Sequence, residues 1–448
     1  MRLVALLPLL LLPAAQAAEP PVLFRGATLI TMDAPGVLER HDLLVRDGRI
    51  AGIAPSGSIA PPAGTVIVDA GGRFLMPGLA EMHAHVPGPE PAGWAEDVLL
   101  LYLGHGLTTV RGMLGQPAHL ELRTRLERGE LLGPRLFTSG PSVNGNSAPD
   151  AATAARMVRE QKEAGYDFVK IHPGLKPEVF DAMATAARAA GIPFEGHVSA
   201  QVGVRRALAA GQRAIDHLDQ YVEALAREGC TGTEVPGGFF GIGLTDCADR
   251  RRIPELVAAT RAAGAWMAPT QVLIEQWARP PPESELRARG AWRYVSPATA
   301  QQWARTRSRF ESALPFADRF IRLRRELLMQ MHAANVPILL ASDAPQLFNI
   351  PGDSALAELE LYGEMGMPAL DALATGTVNV ARFFGQEDRF GRLREGLEAD
   401  LLLLGADPRA DLGNVRKLEG VMIRGRWLPR EKLDELLEGV AGRQARRH

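Results

Sequence analysis

The chain has 448 residues, 46% of them hydrophobic and 23% charged, with a formal net charge of −2. That is an ordinary globular balance, with room for one large domain and a smaller one, and it argues against a nucleic-acid or membrane-surface partner. The function is therefore sought in a pocket that takes a small molecule.

In chain order, Met1-Arg2-Leu3, an apolar run to Leu12 and Ala15-Gln16-Ala17 have the three regions of a secretory signal peptide cut after Ala17. Residues 1–17 are thus expected to be removed and the mature protein to be periplasmic or secreted. The bland alternative is a buried N-terminal helix; the run is too short for a good membrane span. Residues 22–32, 41–53 and 65–69 read as strands, the second with an Asp47-Gly48 turn. The β texture returns at 399–404 and 420–427. Both chain ends are therefore predicted to build one small β domain, a sandwich over 18–76 and 386–448, enclosing residues 77–385 as an insertion.

The insertion alternates apolar runs with helical stretches. The runs cover 75–82, 107–113, 135–140, 168–172, 192–197, 214–217, 265–270 and 336–343, and amphipathic patterns such as 151–164, 177–190 and 202–210 lie between them. Eight such units predict an α/β fold, a closed parallel (β/α)8 TIM barrel, whose functional groups sit at the C-terminal strand ends. Two connections, 218–264 and 271–335, are too long for one helix and are expected to form the walls and lid of a pocket. Cys230 and Cys247 lie in the first of them and either pair in a disulfide that pins a loop or remain free thiols.

The polar residues at those strand ends carry the chemistry. Residues two apart on a strand share a face, so His83 and His85 project together, as two ligands of one metal would. Alone this is weak, since two half-exposed histidines at a strand end read the same. Lys170 lies within the fourth run, His197 and His217 end the fifth and sixth, and Asp343 ends the eighth. Six candidate ligands on one rim make chance a poor account. Lys170 is flanked by Val169 and Ile171, where an ammonium is costly to bury unless paired or neutralised. A neutral lysine can take up carbon dioxide as an anionic carbamate able to bridge two metals; a snorkelling lysine is the alternative. His172 shares the face of Lys170 and is a candidate substrate contact, as are Arg111 at the end of the second run and Tyr221 after the sixth. Asp216 and Asp219 flank His217 and are candidates to orient a ligand imidazole.

With these residues in hand the chain resembles the amidohydrolase superfamily, in its branch of imidazolonepropionase-like enzymes and prolidase-type dipeptidases. The resemblance rests on Pro77-Gly78-Leu79 leading into His83-X-His85, on Lys170, His197, His217 and Asp343, and on the Gly396-X-X-Ala399-Asp400-Leu401 return strand. It implies two divalent metal ions, most often zinc, one held by His83, His85 and Asp343, the other by His197 and His217. Carboxylated Lys170 and a hydroxide would bridge them, and Asp343 would act as catalytic proton carrier. The implied activity is hydrolysis of an amide bond in a dipeptide or N-acyl amino acid by that hydroxide, and members of the superfamily are commonly homo-oligomers. Hydrolysis of a lactone, organophosphate or cyclic amide, or deamination of a heterocycle, is the alternative within the superfamily. Lys170 argues against the deaminases, which usually lack it. A non-catalytic metal-binding protein on this fold is the alternative outside it.

Overall fold

Strands from both chain ends share one sheet in the computed structural model, which describes residues 19–235 and 238–447; the expected signal peptide lies outside the described residues. β1 (Val22–Ile30), β2 (Val37–Arg46) and β3 (Arg49–Pro55) form an antiparallel ribbon. The turn joining β2 to β3 is Asp47-Gly48, with φ of 52° and 74°, the left-handed pair that a two-residue hairpin needs. β4 (Val66–Asp69) and β5 (Phe74–Pro77) both run parallel to β1, β4 along its first half and β5 along its second.

The expected single strand over 75–82 is two strands. β5 stays in the terminal sheet, and β6 (Leu79–Ala84) begins a second, parallel one. The break falls at Gly78, where a Cβ would lie 2.0 Å from Thr108 Oγ1, so only glycine lets the chain cross here. β6, β7 (Leu107–Gly112) and β8 (Arg135–Thr138) pair in that order. β9 (Val169–Ile171), β10 (Phe194–Gly196), β11 (Ala214–Asp216) and β12 (Trp266–Ala268) make a second parallel group. Single parallel bridges relate the groups: Ser139 with Phe168, Met267 with Ile338, and Ala84 with Ala344. The eighth run, expected as a strand over 336–343, makes only those isolated bridges and hydrogen bonds such as Met82 N–H to Leu340 O (2.9 Å). Parallel order with intervening helices puts the C-terminal ends of β6 to β12 on one side.

β13 (Leu401–Leu404) returns beside β5 and is followed by β14 (Leu418–Ile423) and β15 (Arg426–Pro429). Leu401 and Leu403 join a small core with Phe24, Leu43 and Leu75, while Leu402 and Leu404 join the large core with Met76 and Leu79. The period of two thus seats one face of the sheet on the larger body. The reading of 386–448 as β alone needs correction, because Arg430–Gln444 is a helix that buries Leu433, Leu437 and Val440. Their i, i+4, i+7 spacing makes one apolar stripe. The long connections are mostly helical, and Cys230 and Cys247 are paired, with Cα atoms 5.9 Å apart. Among the described residues no helix is long and apolar enough to cross a membrane.

Candidate metal centre

The six residues singled out at strand ends come together on the C-terminal side of the parallel strands. His83 lies in β6 and His85 just beyond it; Lys170 is the middle residue of β9; His197 and His217 are the first residues after β10 and β11. His85 Nε2 lies 3.1 Å and His83 Nε2 3.6 Å from Asp343 Oδ1, and His217 Nε2 lies 3.8 Å from Asp343 Oδ2. The His217 ring is 4.7 Å from that of His83 and 4.5 Å from that of His197. His83, His217 and Asp343 offer ligand atoms all within 4.8 Å of one another. His217 and Asp343 hold φ of 60° and 64°, left-handed values uncommon away from glycine, and Thr270 beside them holds 45°. Such backbone strain persists only where its surroundings enforce it.

Those surroundings lock the rings. His197 Nδ1 bonds Asp219 Oδ2 at 2.6 Å and His217 Nδ1 bonds Thr270 Oγ1 at 2.7 Å, which leaves Nε2 of each ring to ligate. Burial holds His83 and His217 well below the ordinary imidazole pKa and brings His85 down to about 3, the Lys170 charge adding to the effect on His85. These rings are therefore neutral, the form that binds a metal. Burial pushes the Asp343 carboxyl well above its usual range, with Asp216 and Glu81 working in the same direction against Lys170. Nε2 of His83, Nε2 of His85 and Oδ1 of Asp343 are buried without a hydrogen-bond partner. Orphaned buried acceptors cost about 1–3 kcal/mol each. Neutral imidazoles around an unpartnered buried carboxylate are a donor set that fits a divalent cation.

Lys170 Nζ lies 2.6 Å from Asp216 Oδ2, both side chains fully buried, and Asp216 also faces His83 Nδ1 at 3.3 Å. Burial alone would raise the Asp216 pKa, but Lys170, His83 and Arg111 outweigh it and hold it well below the usual range. Of the two carboxylates expected to orient a ligand imidazole, Asp219 meets His197, Asp216 faces Lys170 and His83, and the His217 ring is held instead by Thr270.

Arg111 and Tyr221 do not stand where a substrate would meet them. Arg111 is fully buried, with Glu195 Oε2 at 2.5 Å, Met82 O at 2.6 Å and Asp216 Oδ1 at 3.4 Å. Tyr221 is also fully buried, its hydroxyl between Thr260 Oγ1 and Met267 Sδ. His172 is half-buried, its ring 5.1 Å from that of His197 and its Nδ1 without a partner, so it does border the site. His41, His105, His119 and His332 bond elsewhere.

Three supporting residues escape a reading of strand ends. Glu81 accepts from the His83 N–H (2.8 Å), the Ser342 N–H (2.9 Å) and the Ser342 hydroxyl, tying β6 to the segment that carries Asp343. It sits two before His83, so the alternation that paired His83 with His85 also reaches it. Arg324, fully buried, donates to His217 O (2.8 Å) and Gln271 Oε1 (3.0 Å), and Glu358 accepts from the backbone of Gln271 (2.9 Å) and Val272 (2.6 Å). Both come from distant helices, and no local pattern signals them.

Known proteins resemble this chain in sequence and in fold. A model of the amidohydrolase family matches residues 74–428. An imidazolonepropionase of Stenotrophomonas maltophilia is 25% identical over 412 residues, covering 87% of this chain and 92% of that protein. An adenine deaminase of Paracoccus denitrificans is 31% identical over 169 residues, but that match covers 35% of this chain and only 27% of the deaminase. A solved Xaa-Pro dipeptidase with methionine in its active site superposes with a TM-score of 0.68, covering 91% of this chain and all of that one (100%), at 18% identity, a likeness of fold.

Proposed function

The chain belongs to the amidohydrolase family, and from that premise we propose that it hydrolyses an amide bond in a dipeptide or N-acyl amino acid at a two-metal centre. In this reading the ring of parallel strands is a (β/α)8 barrel over 77–385, and the terminal sheet is its β-sandwich companion. The protein is exported after loss of residues 1–17, acts in the periplasm or outside the cell, and works as a homo-oligomer. His83, His85 and Asp343 would hold one zinc ion, His197 and His217 a second, with a carbamate on Lys170 between them. Bound metal supplies Lewis acidity toward the scissile carbonyl and an acidified water.

The protein's own residues do the rest. Asp343, which faces His85, His83 and His217 at 3.1, 3.6 and 3.8 Å, would take the proton of the attacking water and return it to the leaving amine. Asp219 and Thr270 keep the His197 and His217 rings aligned through turnover. The observation that carries the reading is the set of buried, unpartnered ligand atoms on His83, His85 and Asp343. One observation favours a second reading. The buried contact of Lys170 with Asp216 suits an ammonium, which takes up no carbon dioxide, and a site with one metal at His83, His217 and Asp343. Such a site fits deamination of a heterocycle.

Metal content and a substrate panel separate the two. Two zinc ions per chain, with cleavage of dipeptides or N-acyl amino acids and not of lactones, phosphotriesters or adenine, is the expected result. One metal per chain with release of ammonia from a heterocycle would replace the first reading by the second.

A further inference from the structure

The site has an aromatic wall on one side. Phe240, in the connection after β11, packs its ring 5.2 Å from that of His217 and lies nearly parallel to that of His197, at 6.5 Å and 9°. Beyond it stands Trp277, 6.4 Å away and tilted by 22°. Trp277 belongs to the helix Gln271–Ala278, which starts directly after the Thr270 that bonds His217. Two long connections therefore meet over the same pair of histidines.

The placement of Phe240 is built, not incidental. Its φ is 46°, a conformation that an aromatic residue adopts only where neighbours impose it. Phe239 anchors it, meeting Trp277, Phe310 and Phe320 edge-on at 5.5, 5.7 and 6.0 Å. Gly241 follows so closely against Val222 and Glu223 that a Cβ would come within 2.8 Å of Val222 Cβ. The 3-10 turn Ile242–Cys247 then runs to the disulfide with Cys230. A second feature points to a ligand: the Trp277 Nε1 is buried and has no hydrogen-bond partner. A buried indole N–H normally finds an acceptor.

We infer that Phe240 and Trp277 form a side subsite that receives an apolar ring of the substrate, an aromatic or cyclic side chain next to the scissile amide, with the Trp277 N–H donating to an oxygen of the same molecule. This rests on the amide-hydrolase reading of the centre. Aromatic faces bind flat apolar groups in offset or edge-on geometry, beyond what burial alone gives. An acidic side chain is disfavoured here, because Glu223 Oε2 is also buried without a partner next to Gly241.

Free amino acids test this without turnover, since they contain no amide to cleave. Calorimetry on the full-length zinc-loaded protein should show L-phenylalanine binding at least about tenfold more tightly than L-alanine, the worth of burying a benzyl group. L-aspartate should be the weakest ligand. Phe240→Ala should bring the phenylalanine-to-alanine ratio near one, and Phe240→Leu should leave an intermediate ratio. Trp277→Phe keeps a ring but no donor, so it should weaken both ligands alike, by about tenfold for one lost buried hydrogen bond, and preserve their ratio. Equal affinities in the unaltered protein, no binding of any amino acid, or a ratio indifferent to Phe240→Ala would overturn the inference. Tightest binding by L-lysine would overturn it too, assigning recognition to Glu223. Cleavage of N-acyl phenylalanine and N-acyl alanine is measured separately: failure to cleave either defeats the amide-hydrolase reading, whatever the binding ratio shows.

Discussion

Asp219 decides how His197 points. Its carboxylate takes the Nδ1 side of the ring at 2.6 Å and also accepts the Val198 N–H at 3.2 Å, so ring and backbone are fixed by one group. Asp219→Asn should lower the affinity of the centre for zinc by about 10–100-fold, the usual effect of removing a carboxylate behind a ligating histidine. Competition with a chelator measures it, and unchanged affinity would show that Asp219 does not orient a ligand. Glu358 gives a separate test, in stability. Burial raises its pKa from 4.5 to about 8, although two backbone N–H groups and Tyr362 pull the other way. The folded state therefore holds this proton where the unfolded state has lost it. Its stabilising contribution is full below about pH 4.5 and is lost as pH rises toward 8. Urea unfolding of Glu358→Gln beside the parent should show the parent losing ground steadily over that window; a pH-independent difference would mean that the carboxyl is ionised throughout. At this scale the clustering of the candidate residues was legible because a strand end offers few positions and lysine and aspartate are rarely buried without a partner. Asp219 was visible as a carboxylate able to orient a ligand imidazole, and it meets His197; which ring it would meet was not visible, because that depends on how β10 and β11 stand side by side. Thr270, Arg324 and Glu358 were not visible, since nothing local marks a residue that acts across the fold.

At the level of elements, the stretch from Phe74 to His85 joins two sheets. The apolar run reads as one strand because both halves are apolar and extended, and a pattern of hydrophobicity cannot reveal that hydrogen-bond partners change midway. β5 pairs with β1 and β13, whereas β6 pairs with β7, and the exchange occurs at Gly78. Gly78→Ala would force its methyl group into Thr108, whose Oγ1, Cγ2 and Cβ all stand within 2.7 Å of the new atom. Thr108 is itself buried and cannot swing away. Overpacking of this kind costs about 1–3 kcal/mol, so the denaturation midpoint should fall. The zinc affinity should fall with it, because a shifted β6 carries His83 away from Asp343. A variant of unaltered stability would mean that the crossing has slack that the glycine does not require.

Across the whole molecule, the return of β texture at both chain ends made their shared sheet legible, and the strand-helix alternation did the same for the middle. The helix Arg430–Gln444 was overlooked because residues 386–448 were assigned as a block to the β domain, although Leu433, Leu437 and Val440 carry a helical spacing. It packs on the helix Trp94–Gly104, so closely that a Cβ on Gly104 would meet Leu437 at 2.6 Å. There the helix supplies Arg443 and Gln444, and the residues just beyond it Arg447, to Asp97, a carboxylate 1% exposed, at 2.7, 3.3 and 3.2 Å. Each buried Leu or Val is worth roughly 1.5–3 kcal/mol, and the entropy of ordering the helix offsets part of that sum. Ending the chain at Pro429 should therefore lower the melting temperature and leave Asp97 without its partners. The two effects separate in a cycle. Asp97→Asn should destabilise the full-length protein, where it breaks a buried ion pair, and should stabilise the truncated one, where it removes an uncompensated charge. The same sign in both backgrounds would show that the terminal helix contributes apolar cover alone.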